Sequence, residues 1–336
     1  MASLSATTIA QIHHCIHHAG QVALQMASQG FDVTSKGWDD YVTDVDKHLD
    51  QLLREQFQAW FPDDAVISEE NPHSLELWHS HQGRFWFIDP IDGTSDFIQG
   101  HKFYAVMVGA LDYFEGIPQA VMGWIYAPAA GCFYGGGVDF PLTQQVYRYG
   151  IDADITDPEA SKSDSESHLE SHVESNLASD LESHCEALKP QMPHLDKPRI
   201  VLSHKDALVY GETIRSVIDG VTFYNLGSFG LKVMEVVLGR ANAYIYLNRR
   251  VKLWDTVGPL AIARAAGLRC CDLAGQEISF ARDAIDAASL GHEQVVLVGW
   301  PEFLDAYLPE LQTRLRDDLI SNGKLIDDAA DVVAVG

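Results

Sequence analysis

Apolar residues recur at helical spacing across residues 8–27, where Ile12, Ile16, Ala19, Ala23 and Ala27 mark one face of an amphipathic helix ending before Gly30. His13, His14, His17 and His18 share this segment and are expected on its solvated, polar side. The pairs His13/His17 and His14/His18 have the i,i+4 spacing of a metal pair, but no positioned carboxylate accompanies them. A second helix is predicted over 45–57, with Leu49, Leu52 and Leu53 buried. Apolar runs at 85–88, 104–111, 120–126 and 131–134, punctuated by Asp112, Gly116, Pro118 and Pro128, predict consecutive antiparallel strands joined by tight turns. Beyond Lys197, strands predicted at 199–203, 221–225, 243–247, 268–273 and 294–299 accompany helices at 210–218, 229–238, 256–266 and 301–316. That alternation implies a second, layered α/β half.

Residues 150–196 break the pattern: twelve Asp or Glu stand against only Lys162 and Lys189. Leu169, Val173, Leu177 and Leu181 recur every four residues, but serine richness and like-charge crowding favour a mostly disordered or weakly helical acidic insertion. The chain is thus expected to divide into 1–149, 150–196 and 197–336.

With 336 residues and 46% hydrophobic content, the chain can fill one large or two ordinary cores. No stretch approaches ~18 unbroken apolar residues and the start lacks a basic region before an apolar block, so neither a membrane span nor a secretory leader is expected, and the expected location is cytoplasmic. Cys15, Cys132, Cys185, Cys270 and Cys271 show no CxxC spacing and are read as reduced thiols, mostly core. A formal charge of −25 argues against a nucleic-acid polymer or an anionic membrane as main partner. A small phosphorylated substrate remains compatible, because bound divalent cations reverse the local field.

The chemistry concentrates in Asp89-Pro90-Ile91-Asp92-Gly93-Thr94, which follows the apolar run 85–88. Pro90 bars a regular continuation of the strand, so both carboxylates leave its C-terminal end beside a glycine turn and a hydroxyl. Carboxylates and carbonyls are hard ligands suited to Mg²⁺ or Mn²⁺, which points to metal-assisted phosphate chemistry. Three more acidic features stand apart in the chain: Thr43-Asp44-Val45-Asp46, Ile67-Ser68-Glu69-Glu70 and Trp254-Asp255-Thr256. Singly, each reads as a helix cap or a solvated acidic face.

In order and together, Asp46, Glu69-Glu70, Asp89 to Thr94 and Trp254-Asp255 resemble the signature of the inositol monophosphatase superfamily of Mg²⁺-dependent, lithium-sensitive phosphatases, over about residues 8–300. The resemblance implies an α+β fold, a layered α-β-α-β-α sandwich of the inositol monophosphatase or sugar phosphatase type, with the acidic insertion left outside. It implies two or three Mg²⁺ ions, replaceable by Mn²⁺, held by Glu69, Asp89, the Ile91 carbonyl, Asp92 and Asp255. Asp46 and Thr94 resemble the pair that orients the attacking water, and Glu69 joins them in the catalytic set. In that scheme one metal lowers the pKa of its water and another stabilises the leaving oxygen. Gly93 and Thr94 would approach the phosphate, and Lys36, expected in a loop before Asp39-Asp40, corresponds to a family lysine near it.

Ser68-Glu69-Glu70, Ser95-Asp96-Phe97 and the run from Gly227 and Ser228 to Lys232 look like the bisphosphate nucleotidase branch. Gly227, Ser228, Lys232 and Asp255 are therefore expected to contact substrate, and Asn248 with Arg249 and Arg250 stands where inositol monophosphatases carry a polyol-reading glutamate. The expected activity is a Mg²⁺-dependent 3'(2'),5'-bisphosphate nucleotidase hydrolysing 3'-phosphoadenosine 5'-phosphate. An inositol monophosphatase is the same-class alternative. A non-catalytic regulatory protein that binds a basic partner through the acidic insertion is the alternative of another class. The expected partners are a small phosphorylated substrate and, as an allowed assembly, a second copy of the chain.

Overall fold

The computed structural model describes residues 4–37, 40–138, 140, 146–150 and 185–321. The helical or disordered character expected between 151 and 184 lies outside the described residues. Two compact units form from interleaved segments. The first comprises Met1–Lys189, Gly227–Leu231 and Leu253–Ala266; the second comprises Pro190–Leu226, Lys232–Lys252 and Gly267–Gly336. Trp254-Asp255, grouped by sequence order with 197–336, thus lies in the first unit.

In the first unit, helix α1 (Ala6–Gln29) starts at Ser5, whose side chain accepts from the Thr8 N–H at 3.1 Å. A short antiparallel hairpin, β1 (Val33–Gly37) and β2 (Asp40–Thr43), leads into α2 (Asp44–Trp60). Strand β3 (Ala65–Ser68), the short helix α3 (Leu77–Ser80) and β4 (Phe85–Asp92) follow. After α4 (Thr94–Ile98) come β5 (Ala105–Phe114), β6 (Ile117–Ala127), β7 (Cys132–Gly136) and β8 (Tyr147–Gly150). These strands pair in chain order into one seven-stranded sheet, closed at its edge by β9 (Cys185–Ala187). All neighbours are antiparallel except β3 and β4. The tail of the acidic segment thus contributes a strand, because Tyr147, Arg148 and Tyr149 offer it an unpaired edge.

Alternation divides the sheet's two faces. Trp86, Ile88, Val106, Val108, Trp124 and Tyr126 form one core with the buried stripes of α1 and α2. The opposite face, at Gly109 and Gly123, receives the helix Leu253–Ala265. In α2 the buried side carries Leu49, Leu53 and Phe57, while Leu52 is only half-buried.

The second unit holds β10 (Arg199–Leu202), α5 (His204–Val217), β11 (Thr222–Tyr224), most of α6 (Phe229–Val237) and β12 (Ala243–Tyr246). The chain crosses the first unit as α7 (Leu253–Ala265) and returns as β13 (Arg269–Cys271), β14 (Val296–Gly299) and α8 (Pro301–Ser321). The five strands lie in the order β11-β10-β12-β14-β13, parallel around β10 and antiparallel around β14. The α+β class with mixed sheets and helices is borne out. All five cysteines are free thiols, with Cys15, Cys270 and Cys271 buried. Among the described residues no helix is long and apolar enough to cross a membrane.

Two expectations for α1 are corrected. Ala27 is exposed, and His13 is buried rather than solvated. Position 13 falls on the stripe of Ile9 and Ile16, so helical period outweighs residue polarity, and the imidazole packs 3.9 Å from the Phe133 ring and 4.4 Å from Tyr149. His17 is half-buried over Tyr126. Burial, and then neighbouring histidines, lower His13 to about 3 and His17 to about 4.

A sign follows for stability. Below pH ~6.5 the unfolded chain takes up protons that the folded chain refuses, so this contribution is complete above that pH and lost on acidification towards about 3. The slope is at most about 1.4 kcal/mol per pH unit for His13, and smaller for the more exposed His17. Urea unfolding between pH 7 and 4.5 should therefore show a shallower pH slope in His13→Phe than in the unmodified chain; equal slopes would contradict the assignment.

Candidate active site

Pro90 lacks the N–H that a ladder needs, and the register between β4 and β5 slips where it sits. Asp89 pairs with Met107, whereas Asp92 pairs with Ala105. Three steps on one strand face two on the other. In a regular strand, positions 89 and 92 would point to opposite faces, and the extra residue returns both carboxylates to one side.

Asp255 arrives on the first turn of α7. This helix can reach the sheet because glycines meet there: a Cβ on Gly109 would lie 2.3 Å from the Gly258 nitrogen, and one on Gly123 would lie 2.1 Å from the Gly258 oxygen. The result brings one carboxylate oxygen each from Asp89, Asp92 and Asp255 within 4.8 Å of one another.

Each acid is held differently. Asp92 Oδ2 accepts the Ser228 hydroxyl at 2.5 Å and the Gly230 N–H at 2.8 Å, while Ser228 Oγ accepts from the Leu231 N–H at 3.0 Å. Ser228, expected at the substrate, is fully buried here and supports Asp92. Asp89 is buried, and its Oδ1 has no hydrogen-bond partner among the described residues. Such an atom is costly to bury unless something meets it.

Asp46 closes a capping box at the start of α2, its Oδ2 accepting the Thr43 N–H at 2.7 Å and the Thr43 hydroxyl. The Thr94 hydroxyl lies 3.4 Å from Asp46 Oδ1 and 3.1 Å from the Ile91 carbonyl oxygen. Gly93, at φ +97°, makes the turn between β4 and α4, and a side chain there would press on the Phe103 carbonyl and the Ser228 nitrogen. Gly227 packs against the Asp96 carboxylate, a contact that leaves no room for a Cβ.

Glu69 leaves the end of β3, its N–H donating to the Ile88 carbonyl at 3.2 Å. Lys36 lies in strand β1 rather than in the expected loop, and its ammonium is 2.6 Å from Glu70 and 3.7 Å from Glu69. Loss of solvent, then the neighbouring Asp255, pushes Glu69 up to about 8, with Lys36 opposing. Burial, then Glu69, Asp92 and Asp255, raises Asp89 well above the usual carboxylate range. Burial likewise raises Asp46, with the Thr43 hydrogen bonds opposing. Crowded carboxylates with an unmet oxygen form a hard, all-oxygen donor set that fits Mg²⁺ or Mn²⁺ and relieves its own repulsion when a divalent cation enters.

The sequence model of the inositol monophosphatase family matches residues 4–300. The chain belongs to this family. A histidinol-phosphatase from Chlorobaculum parvum is 40% identical over 117 residues, covering 34% of this chain and 42% of that enzyme. The 3'(2'),5'-bisphosphate nucleotidase CysQ of Buchnera aphidicola is 24% identical over 258 residues, covering 76% and 77%. Matches at 30% identity or more among these curated relatives span less than half of the relatives' lengths. A crystal structure of SaIMPase-II with 2'AMP bound superposes with a TM-score of 0.64 at 20% identity, covering 93% of this chain and 96% of that one, which shows the shared fold.

In this inositol monophosphatase family member the remaining expected residues lie in the second unit. Lys232 is largely buried, its ammonium 5.8 Å from the centre of the Tyr244 ring. Asn248, Arg249 and Arg250 line a cavity of 340 Å³ with Asp286, His292 and Glu293, so acids share the wall with the two arginines. Sequence does not single out Asp50 and Arg54, and it marks Ser68 only as part of the Ser68-Glu69-Glu70 run. The one signal for Asp50 and Arg54 is spacing: Asp50 lies one turn after Asp46 and one turn before Arg54.

Proposed function

We propose that the chain is a divalent-cation-dependent phosphomonoesterase acting on 3'(2'),5'-bisphosphate nucleotides. The observation that carries the phosphatase reading is the convergence of Asp89, Asp92 and Asp255 within 4.8 Å. Asp89, Asp92, Asp255, Glu69 and the Ile91 carbonyl would hold the cation. Bound there, Mg²⁺ supplies Lewis-acid polarisation of the phosphate and acidifies a water ligand.

The chain's own residues do the rest. Asp46 Oδ2 is engaged by Thr43, which leaves Oδ1 directed at the Thr94 hydroxyl. The single Thr94 proton has two acceptors in reach, the Ile91 carbonyl at 3.1 Å and Asp46 Oδ1 at 3.4 Å. With that carbonyl engaged by the cation the proton would go to Asp46, leaving the hydroxyl oxygen to accept a hydrogen bond from the attacking water and fix the direction of attack on phosphorus. The raised affinity of Asp46 for protons lets it share the proton that the water releases. Gly93 supplies the left-handed turn that carries the chain from Asp92 to Thr94 with no Cβ against the Phe103 carbonyl and the Ser228 nitrogen, which is where the phosphate would meet the backbone of the turn.

The nucleotide preference is supported by Ser68-Glu69-Glu70, by Ser95-Asp96-Phe97 and by Lys232, whose charge suits a second phosphate. It is supported further by the CysQ relative that matches three quarters of the chain. The test is phosphate release by purified protein with and without Mg²⁺ from 3'-phosphoadenosine 5'-phosphate, inositol 1-phosphate and histidinol phosphate. The expected result is Mg²⁺-dependent release with kcat/KM for the nucleotide highest by about tenfold, equivalent to about 1.4 kcal/mol. A tenfold preference for either rival would transfer the assignment to it. No Mg²⁺-dependent release from any substrate would overturn the phosphatase reading.

A further inference from the structure

We propose that Asp50, bridging Ser68 and Arg54, is a positioning residue that holds Glu69 in register with the acid cluster and thereby sets the affinity for the divalent cation. This rests on the metal-site reading above. Asp50 is 3% exposed and lies one turn beyond Asp46 on α2. One of its oxygens accepts the Ser68 hydroxyl, and the other accepts Arg54 Nε at 2.7 Å. Ser68 is fully buried, and its own N–H donates to Ser74 Oγ at 3.2 Å. The Ser74 hydroxyl in turn donates to the Asn71 carbonyl at 2.6 Å, closing the turn that carries Glu69 and Glu70.

The placement is informative because Ser68 is the last residue of β3 and pairs with Ile88, the residue before Asp89. Strand pairing fixes Glu69 beside Asp89 along the sheet, through its N–H to Ile88. It does not fix the tilt of the strand end relative to α2. The Ser68–Asp50 bond supplies that constraint and ties the turn bearing Glu69 to the helix bearing Asp46. An alanine at 68 would keep the strand's backbone pairing, and a part-buried ion pair such as Asp50–Arg54 is weak evidence for net stability. Orientation of a ligand is what such outer hydrogen bonds accomplish at metal sites, and their removal typically weakens metal affinity by about 10-fold to 100-fold.

The test is Mn²⁺ binding to the full chain, read from the electron paramagnetic resonance signal of free Mn²⁺ and independent of turnover. Ser68→Ala is expected to raise the Mn²⁺ Kd by about 10-fold to 100-fold while the far-ultraviolet circular dichroism stays that of the folded chain. Ser68→Thr, which keeps the hydroxyl, is expected to recover most of the affinity. Asp50→Asn turns one of the two acceptors into a donor, so it carries the same test with a rise of at least about tenfold if Ser68→Ala does not fold. A Kd within about twofold of the unmodified chain in a folded variant would overturn the positioning role alone. Failure of the unmodified chain to take up Mn²⁺ would instead overturn the cation site on which it rests.

Discussion

Asp92→Asn is expected to lower kcat/KM for the preferred phosphate ester by at least about 10²-fold to 10³-fold at saturating Mg²⁺, the scale seen when one electrostatic partner of a transition state is removed. The variant is nearly isosteric, and its amide oxygen can still accept from Ser228 and Gly230, so the bulge at Pro90 and the start of α6 keep their hydrogen bonds. What disappears is one negative charge from a cluster already short of counter-charge. Without cation, that loss lessens the repulsion that raises Asp89, so urea unfolding in chelator should show stability equal to or above that of the unmodified chain. Activity near the unmodified level would remove Asp92 from the mechanism, and a collapse of stability would show that its role is structural.

Gly123→Val should be among the most destabilising single changes in the first unit, costing more than about 3 kcal/mol, beyond the usual range for overpacking. A Cβ at 123 would sit 2.1 Å from a backbone oxygen of α7, and backbone cannot rotate aside as a side-chain tip can. The helix must lift or the sheet must bend. Because α7 carries Asp255, lifting it also moves one of the three clustered carboxylates. The same variant is therefore expected to bind Mn²⁺ more weakly under conditions where it remains folded. Thermal unfolding measures the first effect, and a midpoint within a few degrees of the unmodified chain would refute the close approach.

Much of this was legible in the sequence because period and punctuation are local. The strand runs at 85–88, 104–111 and 120–126 appear as β4, β5 and β6, and Gly116 ends the hairpin where expected, with φ +82°. The acids of the cluster were legible as a set because their order along the chain resembles a family signature, not because spacing placed them together. What stayed hidden depends on contacts far apart in sequence. His13 reads as polar until Phe133 and Tyr149 close over it. Ser228 reads as a substrate residue until its hydroxyl is seen on Asp92, and Ser68 reads only as part of the Ser68-Glu69-Glu70 run until its hydroxyl is found on Asp50. Lys36 looked like a loop residue because Ser35-Lys36-Gly37 carries no apolar alternation, yet it pairs within an exposed hairpin.

The interleaving of the two units has a consequence for the order in which the protein is made. During synthesis from the N-terminus, the helix that packs on the sheet face at Gly109 and Gly123 is delivered only after the ribosome has passed the second unit's strands β10, β11 and β12. Asp255 arrives with that helix, so a nascent chain ending before it carries Asp89 and Asp92 without their third partner. Loop closure over such a separation is slow relative to hairpin formation. On the proposed cation site, a bound ion could not template the early sheet through the complete cluster, and its uptake would report that the last segment of the first unit has docked.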